Sequence, residues 1–239
     1  MKEENLGFPL QQFYSRIYKT YDLVNRLFTF GLDEKWRSET VKLCLSYNPD
    51  HVLDLCCGTG DLALRIGMLK SKTIKVTGYD LNKKMLELAR IKADKIKVPQ
   101  IDFIQGDVAA MPFSNNEFDC ITIGFGFRNL TFENPDRDKY LNEINRVLKP
   151  GGRLLILESA VPENRFVNFF YKLYLNLFLI PLGGLLSGDF NAYRYLARSS
   201  IKFYSLKEIE SLFQEFNLEI RLQKKYLFEA VNILVAGKK

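Results

Sequence analysis

The sequence predicts an α/β fold: a mostly parallel seven-stranded sheet with helices on both faces, an N-terminal helical cap and a helical insertion before the last two strands. Three observations carry this expectation. Between residues 49 and 160, short apolar runs alternate with amphipathic helical patterns at the spacing of βαβ units. The first apolar run passes directly into a Gly-x-Gly turn that opens a helix. The last two strand patterns appear only after a long helical stretch.

Taken in order, Phe13, Ile17, Tyr21, Val24 and Phe28 recur near the helical period and predict one amphipathic helix. A second helix, Asp33 to Leu45, must end by Asn48-Pro49, because the residue before a proline is pushed out of the helical region. His51–Leu55 and Thr73–Tyr79 read as strands, and Leu81–Lys95 as a helix with Met85, Leu88, Ala89 and Lys92 along one side. Ile101–Gln105 and Phe118–Ile123 are the third and fourth strands. Asp136–Leu148 is a helix turning Leu141, Ile144 and Leu148 inward, stopped by Lys149-Pro150-Gly151-Gly152, and Arg153–Glu158 is the fifth strand. Helices are expected from about Glu163 to Glu215, with strands near Asn217–Gln223 and Ala230–Ala236 completing the sheet. No linker composition interrupts the chain, so 1–239 reads as a single unit: cap 1–48, core 49–160, insertion 161–215 and final strands 216–239.

Composition narrows the functional classes. With 47% apolar and 26% charged residues, the chain is ordinary for a globular protein, which excludes general disorder. The net charge is +6, and residues 161–239 hold 11 basic against 7 acidic side chains. The same region contains the charge-free run Leu173–Gly188, and that pairing suits peripheral contact with an anionic membrane surface. The run has 16 residues, fewer than the ~20 needed to span a bilayer, so it reads as buried or interfacial. No Lys/Arg block is dense enough for nucleic acid. Cys44, Cys56, Cys57 and Cys120 form no CxxC pair, and no metal is expected. The start, MKEENLG, has no apolar signal core, so the expected compartment is the cytoplasm, at most peripheral to the inner face of the cell membrane. A homodimer is compatible with the sequence.

The chemistry is concentrated in Val52-Leu53-Asp54-Leu55-Cys56-Cys57-Gly58-Thr59-Gly60-Asp61. Glycine lets the backbone turn sharply and approach a ligand, and the helix start that follows favours negative ligand groups. Gly58-x-Gly60-x-x-Ala63 also fits a relaxed dinucleotide fingerprint. Asp54 separates the two readings: beside the turn it would repel a pyrophosphate and attract an amino-acid ammonium. Asp80 ends the second strand, where an acid can hold ribose hydroxyls, with Leu81 next to it. Asp107 follows the third strand and can accept from an adenine amino group, while the Val108 N–H meets the ring. Each acid alone is also what a helix cap or turn would use. Together, at three successive strand ends, they describe a site for S-adenosyl-L-methionine, a cation with an adenosine tail and no phosphate.

These residues resemble the class I (Rossmann-like) methyltransferases, and the rest of the chain is similar to the ubiquinone/menaquinone biosynthesis C-methyltransferase family. The resemblance rests on Tyr21-Asp22-x-x-Asn25, Gly31 and Trp36-Arg37; on the loop Leu53 to Asp61; on Met111-Pro112-Phe113, Phe118-Asp119 and Phe125-Gly126-x-Arg128-Asn129; on Arg146 to Gly152; and more loosely on Tyr193, Tyr195-Leu196 and the region around Ser200. It covers nearly the whole chain. Gly124 stands where some relatives have serine, and Ser159 where many have phenylalanine. The resemblance implies contacts to the cofactor from Thr59, Asp80, Asp107, Val108 and the Gly124 backbone. It implies C-methylation of a lipid-soluble prenyl quinol, demethylmenaquinol to menaquinol or a ubiquinone precursor, with the compact chain favouring the former.

Arg128 is the expected substrate-side residue, because a guanidinium stays protonated and can stabilise a phenolate, and Asn129 is expected to hydrogen-bond the quinol oxygen. Tyr21, Asp22 and Asn25 are candidates for a lid. The apolar segment Phe166–Leu186 is expected to form a tunnel for the prenyl tail or a membrane-facing surface. Two readings of other classes stay open at this stage: an NAD(P)-dependent oxidoreductase and a non-catalytic lipid-binding protein.

Overall fold

A computed structural model describes residues 10–69, 74–98 and 100–238. The polar start Met1–Gly7 and the expected strand start Thr73 lie outside the described residues. Seven strands form one sheet in the order β3-β2-β1-β4-β5-β7-β6. They are β1 His51–Leu55, β2 Lys75–Asp80, β3 Ile101–Gln105, β4 Phe118–Gly124, β5 Leu148–Ser159, β6 Leu218–Tyr226 and β7 Val231–Lys238. β1 to β5 pair in parallel, and β7 runs antiparallel to both β5 and β6. The strand order reverses between β1 and β4, and a ligand of an open α/β sheet sits outside the strand C-ends at such a point.

Among the described residues the α-helices are α1 Leu10–Ile17, α2 Tyr21–Phe28, α3 Leu32–Ser46, α4 Asp61–Gly67, α5 Lys83–Ile96, α6 Phe127–Thr131, α7 Arg137–Val147, α8 Arg165–Tyr174, α9 Ile180–Ser187, α10 Phe190–Ile201 and α11 Leu206–Glu215. One face of the sheet buries Leu141 and Ile144 of α7 with Ile209, Leu212 and Phe213 of α11. The other buries Val41 and Cys44 of α3 with Leu62, Ala63 and Ile66 of α4. A third cluster joins Phe13, Ile17 and Val24 of the N-terminal helices to Leu175, Leu179, Tyr193 and Leu196 of the insertion. The cap and the insertion therefore bury one another.

Several boundaries differ from expectation, each for a local reason. The first helix is two, because both the N–H and the hydroxyl of Thr20 turn back onto the Ile17 carbonyl at 3.0 and 3.2 Å. The apolar period survives the break because both halves bury into the same cluster. α5 starts at Lys83 because Asn82 caps it, accepting from Lys84 N–H at 3.0 Å and Met85 N–H at 3.2 Å. Its buried face is Met85, Leu86, Ala89 and Ala93, with Leu88 and Lys92 on the margin. β5 begins at Leu148, five residues early. Leu148 pairs with Phe118, the register then jumps to Arg153 beside Cys120, and Lys149 to Gly152 form the irregularity between them. The single turn and a half of α6 was not anticipated. The insertion begins with a continuous helical run, Arg165–Ser187, whose middle, Leu175–Leu179, is a π-helix. At 23 residues this run is long and apolar enough, by length and composition, to cross a membrane. Here Leu175, Leu179, Gly183 and Gly184 are buried within the fold.

Candidate active site

The C-ends of β1, β2 and β4 and the loop after β3 open into a cleft of about 810 Å³, including its mouth. Its walls are made locally by glycine and by unusual backbone. Gly58 takes φ +54°, and a Cβ there would stand in open space, so the position leaves room for a ligand as well as meeting a left-handed turn. Cys56 and Phe125, at the ends of β1 and β4, are also left-handed, at φ +54° and +57°. Gly126 lets these two loops meet, since a Cβ on it would lie 2.6 Å from Cys56 Cβ. Non-glycine residues in this region are strained and gather at functional sites.

Of the sequence-derived residues, Gly58, Asp80, Leu81, Asp107, Val108, Gly124, Asn129 and Tyr21 line the cleft. Asp80 accepts the Gly58 N–H at 2.8 Å and the Asn82 N–H at 2.7 Å, one on each oxygen, which fixes its carboxylate in the wall. Burial raises its pKa above the ordinary carboxylate value, against the lowering effect of these two N–H groups. Asp107 accepts from Ala109 N–H at 2.9 Å and caps the short 3₁₀ turn that carries Val108.

Three expected ligand residues do not line the cleft. Asp54 is fully enclosed behind the turn, where it accepts Ala63 N–H at 3.0 Å and Thr122 hydroxyl at 2.9 Å. It braces the start of α4 against β4. The correction follows from burial, which a strand-end acid in a sequence does not disclose. Thr59 is buried and donates to Asp22 at 2.8 Å. Gly60 packs against Ala89 and Phe103, within 3.2 Å of where a Cβ would stand. Asp22 also meets Lys92 at 2.7 Å, so it ties the cap to α5 and to the glycine turn. Desolvation raises the pKa of the half-buried Tyr21, opposed by the neighbouring Asn25. None of Phe166 to Leu186 lines the cleft among the described residues, so the expected tunnel is not formed by that segment.

The burial of Asp54 has a measurable consequence. Burial, opposed by Thr122 and Ala63, raises its pKa to about 7. Between roughly pH 4, the ordinary carboxylate value, and pH 7, the folded state keeps a proton that the unfolded chain releases. Stability from this group thus falls as pH rises across that window, by at most about 1.4 kcal/mol per unit, and is level above it. In Asp54→Asn the amide can accept from Ala63 and donate to Thr122. Thermal melting of this variant is expected to lose that part of the pH slope. An unchanged slope would assign it to other groups.

Arg128, the expected substrate-side residue, is buried, does not line the cleft and is held differently from expectation. Its Nη1 donates to Glu158 Oε1 at 3.0 Å and to Ser159 Oγ at 2.9 Å, and its backbone N–H donates to Glu158 Oε2 at 3.1 Å. Burial opposes its charge, yet Glu158 and the phenols of Tyr14, Tyr171 and Tyr21 keep its pKa above the ordinary value. Its Nε is buried without a partner. Asn129 donates from Nδ2 to the Tyr14 hydroxyl at 2.9 Å, while its Oδ1 is buried and unpartnered. The sole histidine, His51, lies at the opposite edge of the sheet.

Sequence reasoning missed Tyr14, Cys56, Asn82, Phe125 and Tyr140, all of which line the cleft. Asn82 carried a signal, as an asparagine at the head of a helical pattern. Tyr14 carried none beyond lying off the apolar face. The lining residues include two carboxylates and neither Lys nor Arg. Such a rim suits a cationic ligand with hydroxyl and amino donors, and it disfavours a pyrophosphate.

A model of the ubiE/COQ5 methyltransferase family matches residues 1–237. A demethylmenaquinone methyltransferase from Thermotoga maritima is 42% identical over 225 residues, covering 94% of this chain and 91% of the relative. A ubiquinone/menaquinone biosynthesis C-methyltransferase from Pseudoalteromonas translucida is 41% identical, covering 75% of this chain and 70% of the relative. Among solved structures, an S-adenosylmethionine-dependent methyltransferase from Thermotoga maritima superposes with a TM-score of 0.64 at 19% identity, over 96% of this chain and 100% of that one.

Proposed function

Since the chain belongs to the ubiE/COQ5 methyltransferase family and S-adenosyl-L-methionine is its methyl donor, we propose that it methylates a ring carbon of a prenylated quinol, converting demethylmenaquinol to menaquinol. The observation that carries this reading is the cleft rim: two acids, no basic side chain, and an open glycine position at the topological switch point. When bound, S-adenosyl-L-methionine supplies an electrophilic methyl group on a sulfonium. Asp80 would hold its ribose hydroxyls, and Asp107 with Val108 its adenine. Gly58 and the Gly124 backbone leave space for the amino-acid end. Asp54, Thr59 and Gly60 support that wall from behind.

On the substrate side, ring carbon becomes a better nucleophile as the neighbouring hydroxyl gives up its proton. A phenol pKa lies near ~10, so a fixed positive charge nearby favours the phenolate. Arg128, adjoining the cleft-lining Asn129 and paired with Glu158 behind the wall, would supply that charge, with its unpartnered Nε as the donor. In this reading the cap, core, insertion and final strands act as one catalytic unit.

The finer placement concerns the membrane. α8 buries none of its side chains fully and exposes Phe166, Phe169 and Phe170 beside Arg165 and Lys172. Phe166 is 73% exposed and Phe169 61%. A clustered apolar face with basic neighbours fits the headgroup boundary of an anionic bilayer, where the prenyl substrate resides. The enzyme then works from the cytoplasm as a peripheral protein.

The test uses labelled S-adenosyl-L-methionine with demethylmenaquinol in anionic vesicles, and in parallel a short-chain water-soluble analogue. Label is expected in both products, and absence of label from either quinol overturns the reading. A demethylated benzoquinol arm reports on the ubiquinone branch. The double variant Phe166→Ser/Phe169→Ser is expected to lose about 10-fold or more on the vesicle substrate, from lost apolar burial at the surface, while keeping its rate on the soluble analogue. Equal losses on both would remove the membrane role.

A further inference from the structure

Tyr14 sits on α1, in the cap, yet its hydroxyl reaches the Asn129 side chain on α6, 115 positions away, at 2.9 Å. Both residues line the cleft. The Tyr14 ring is set edge-on against Phe13 at 4.7 Å and Tyr21 at 5.8 Å between centroids. Asn129 is fixed from both sides of its backbone: its N–H donates to the Gly126 carbonyl at 3.1 Å, and its carbonyl accepts from Asn134 Nδ2 at 2.9 Å. What remains unmatched is informative. Because Asn129 donates to the Tyr14 oxygen, the phenol proton is free to point elsewhere. Asn129 Oδ1 is a buried acceptor with no partner. An acceptor left in this state costs about 1–3 kcal/mol, so its position calls for a ligand donor.

We propose that Tyr14 and Asn129 form a hydroxyl clamp, in which the Tyr14 phenol donates to the oxygen of a substrate hydroxyl and Asn129 Oδ1 accepts from that same hydroxyl. The free donor and free acceptor together complement a phenolic O–H, which both donates and accepts. A keto group would satisfy only Tyr14, so the clamp selects the reduced, hydroxylated ring. Burial raises the Tyr14 pKa well above its ordinary value, opposed by Arg128 and Asn129. Tyr14 therefore stays protonated and acts as a donor. The neighbouring Arg128 supplies the charge, and the clamp supplies the orientation. Because one jaw is on the cap and the other on the core, the clamp is complete only when the cap is in place.

This inference rests on the reading of an aromatic hydroxylated substrate, and its test is separable from that of methyl transfer. With saturating S-adenosylhomocysteine, calorimetry compares a short-chain prenyl 1-naphthol with the matching prenyl naphthalene that lacks the hydroxyl. The wild type is expected to prefer the naphthol. Tyr14→Phe is expected to bind the naphthol about 10-fold more weakly, with naphthalene affinity unchanged. Asn129→Leu should erase the same preference. A loss in Tyr14→Phe shared equally by both ligands would make Tyr14 a packing residue, and equal wild-type affinity for the two would overturn the clamp outright. If the hydroxyl preference holds but no quinol is methylated, the clamp stands and the quinol assignment falls.

Discussion

Replacing Asp80 with alanine is expected to weaken S-adenosyl-L-methionine binding by about 100- to 1,000-fold. Hydrogen bonds to a charged acceptor are worth about 1.5–3 kcal/mol each, so two ribose hydroxyls give about 3–6 kcal/mol, the lower part of which converts to that ratio. The alanine also releases the Gly58 and Asn82 N–H groups that Asp80 now holds, so the wall it builds loosens too. Calorimetry with the cofactor alone isolates this from turnover. Acidification approaches the same loss in the wild type. Burial raises the Asp80 pKa, so it gains a proton at a higher pH than an ordinary carboxylate. Cofactor affinity should thus decline as pH falls through that raised value, and the decline should vanish in Asp80→Ala. Affinity within about threefold of wild type at neutral pH would remove Asp80 from the cofactor site.

The second large effect concerns Arg128. Arg128→Met leaves Glu158 buried, with only three of its donors: the backbone N–H groups of residues 128 and 159 and the Ser159 hydroxyl. Breaking a buried ion pair from one side costs about 3–5 kcal/mol. The remaining donors place this case near the lower end, which for a chain of this size is a drop of about 6–12 °C in melting temperature. Methyl transfer should fall by a factor on the order of 100 or more, the range lost when one preorganised donor to a developing oxyanion is removed. The double variant Arg128→Met/Glu158→Gln separates the two roles. It should regain most of the stability, because no charge is left unpaired, and none of the rate. Recovery of both would make Arg128 purely structural.

The positions of these groups were legible in the sequence to different depths. Strand positions were clear, because a buried parallel strand must be an apolar run, and the acids that follow such runs point to the C-terminal edge. Asp80 and Asp107 were found this way. Asp54 was found by the same rule and given the wrong side of the turn. Its carboxylate satisfies two groups inside the fold, and only the depth of β1 between β2 and β4 decides that. Arg128 was located, but its partner Glu158 was not, since the pair joins helix α6 to the end of β5 across 30 residues of sequence. Tyr14 was invisible because its importance lies in where α1 docks, and the break at Thr20 that aims α1 is set by two local hydrogen bonds to the Ile17 carbonyl. The bulge at Lys149 to Gly152 was likewise hidden, as a Pro-Gly-Gly sequence normally ends an element.

The N-terminal helices close over the cleft through a handful of polar ties: Asn82 to the Gln11 carbonyl and Ser15 hydroxyl, Thr59 to Asp22, Asp22 to Lys92, and Asn129 to Tyr14. Nearly all of these run to the very loops that shape the pocket. If the nucleoside leaves by that side, these ties must part first and re-form around the next molecule. Each is modest alone, which makes this latch the part of the molecule that opens most readily while the sheet stays intact. On that reading the cap, some twenty residues long, would govern how often the door opens, and the reaction would belong to the interval in which it is shut.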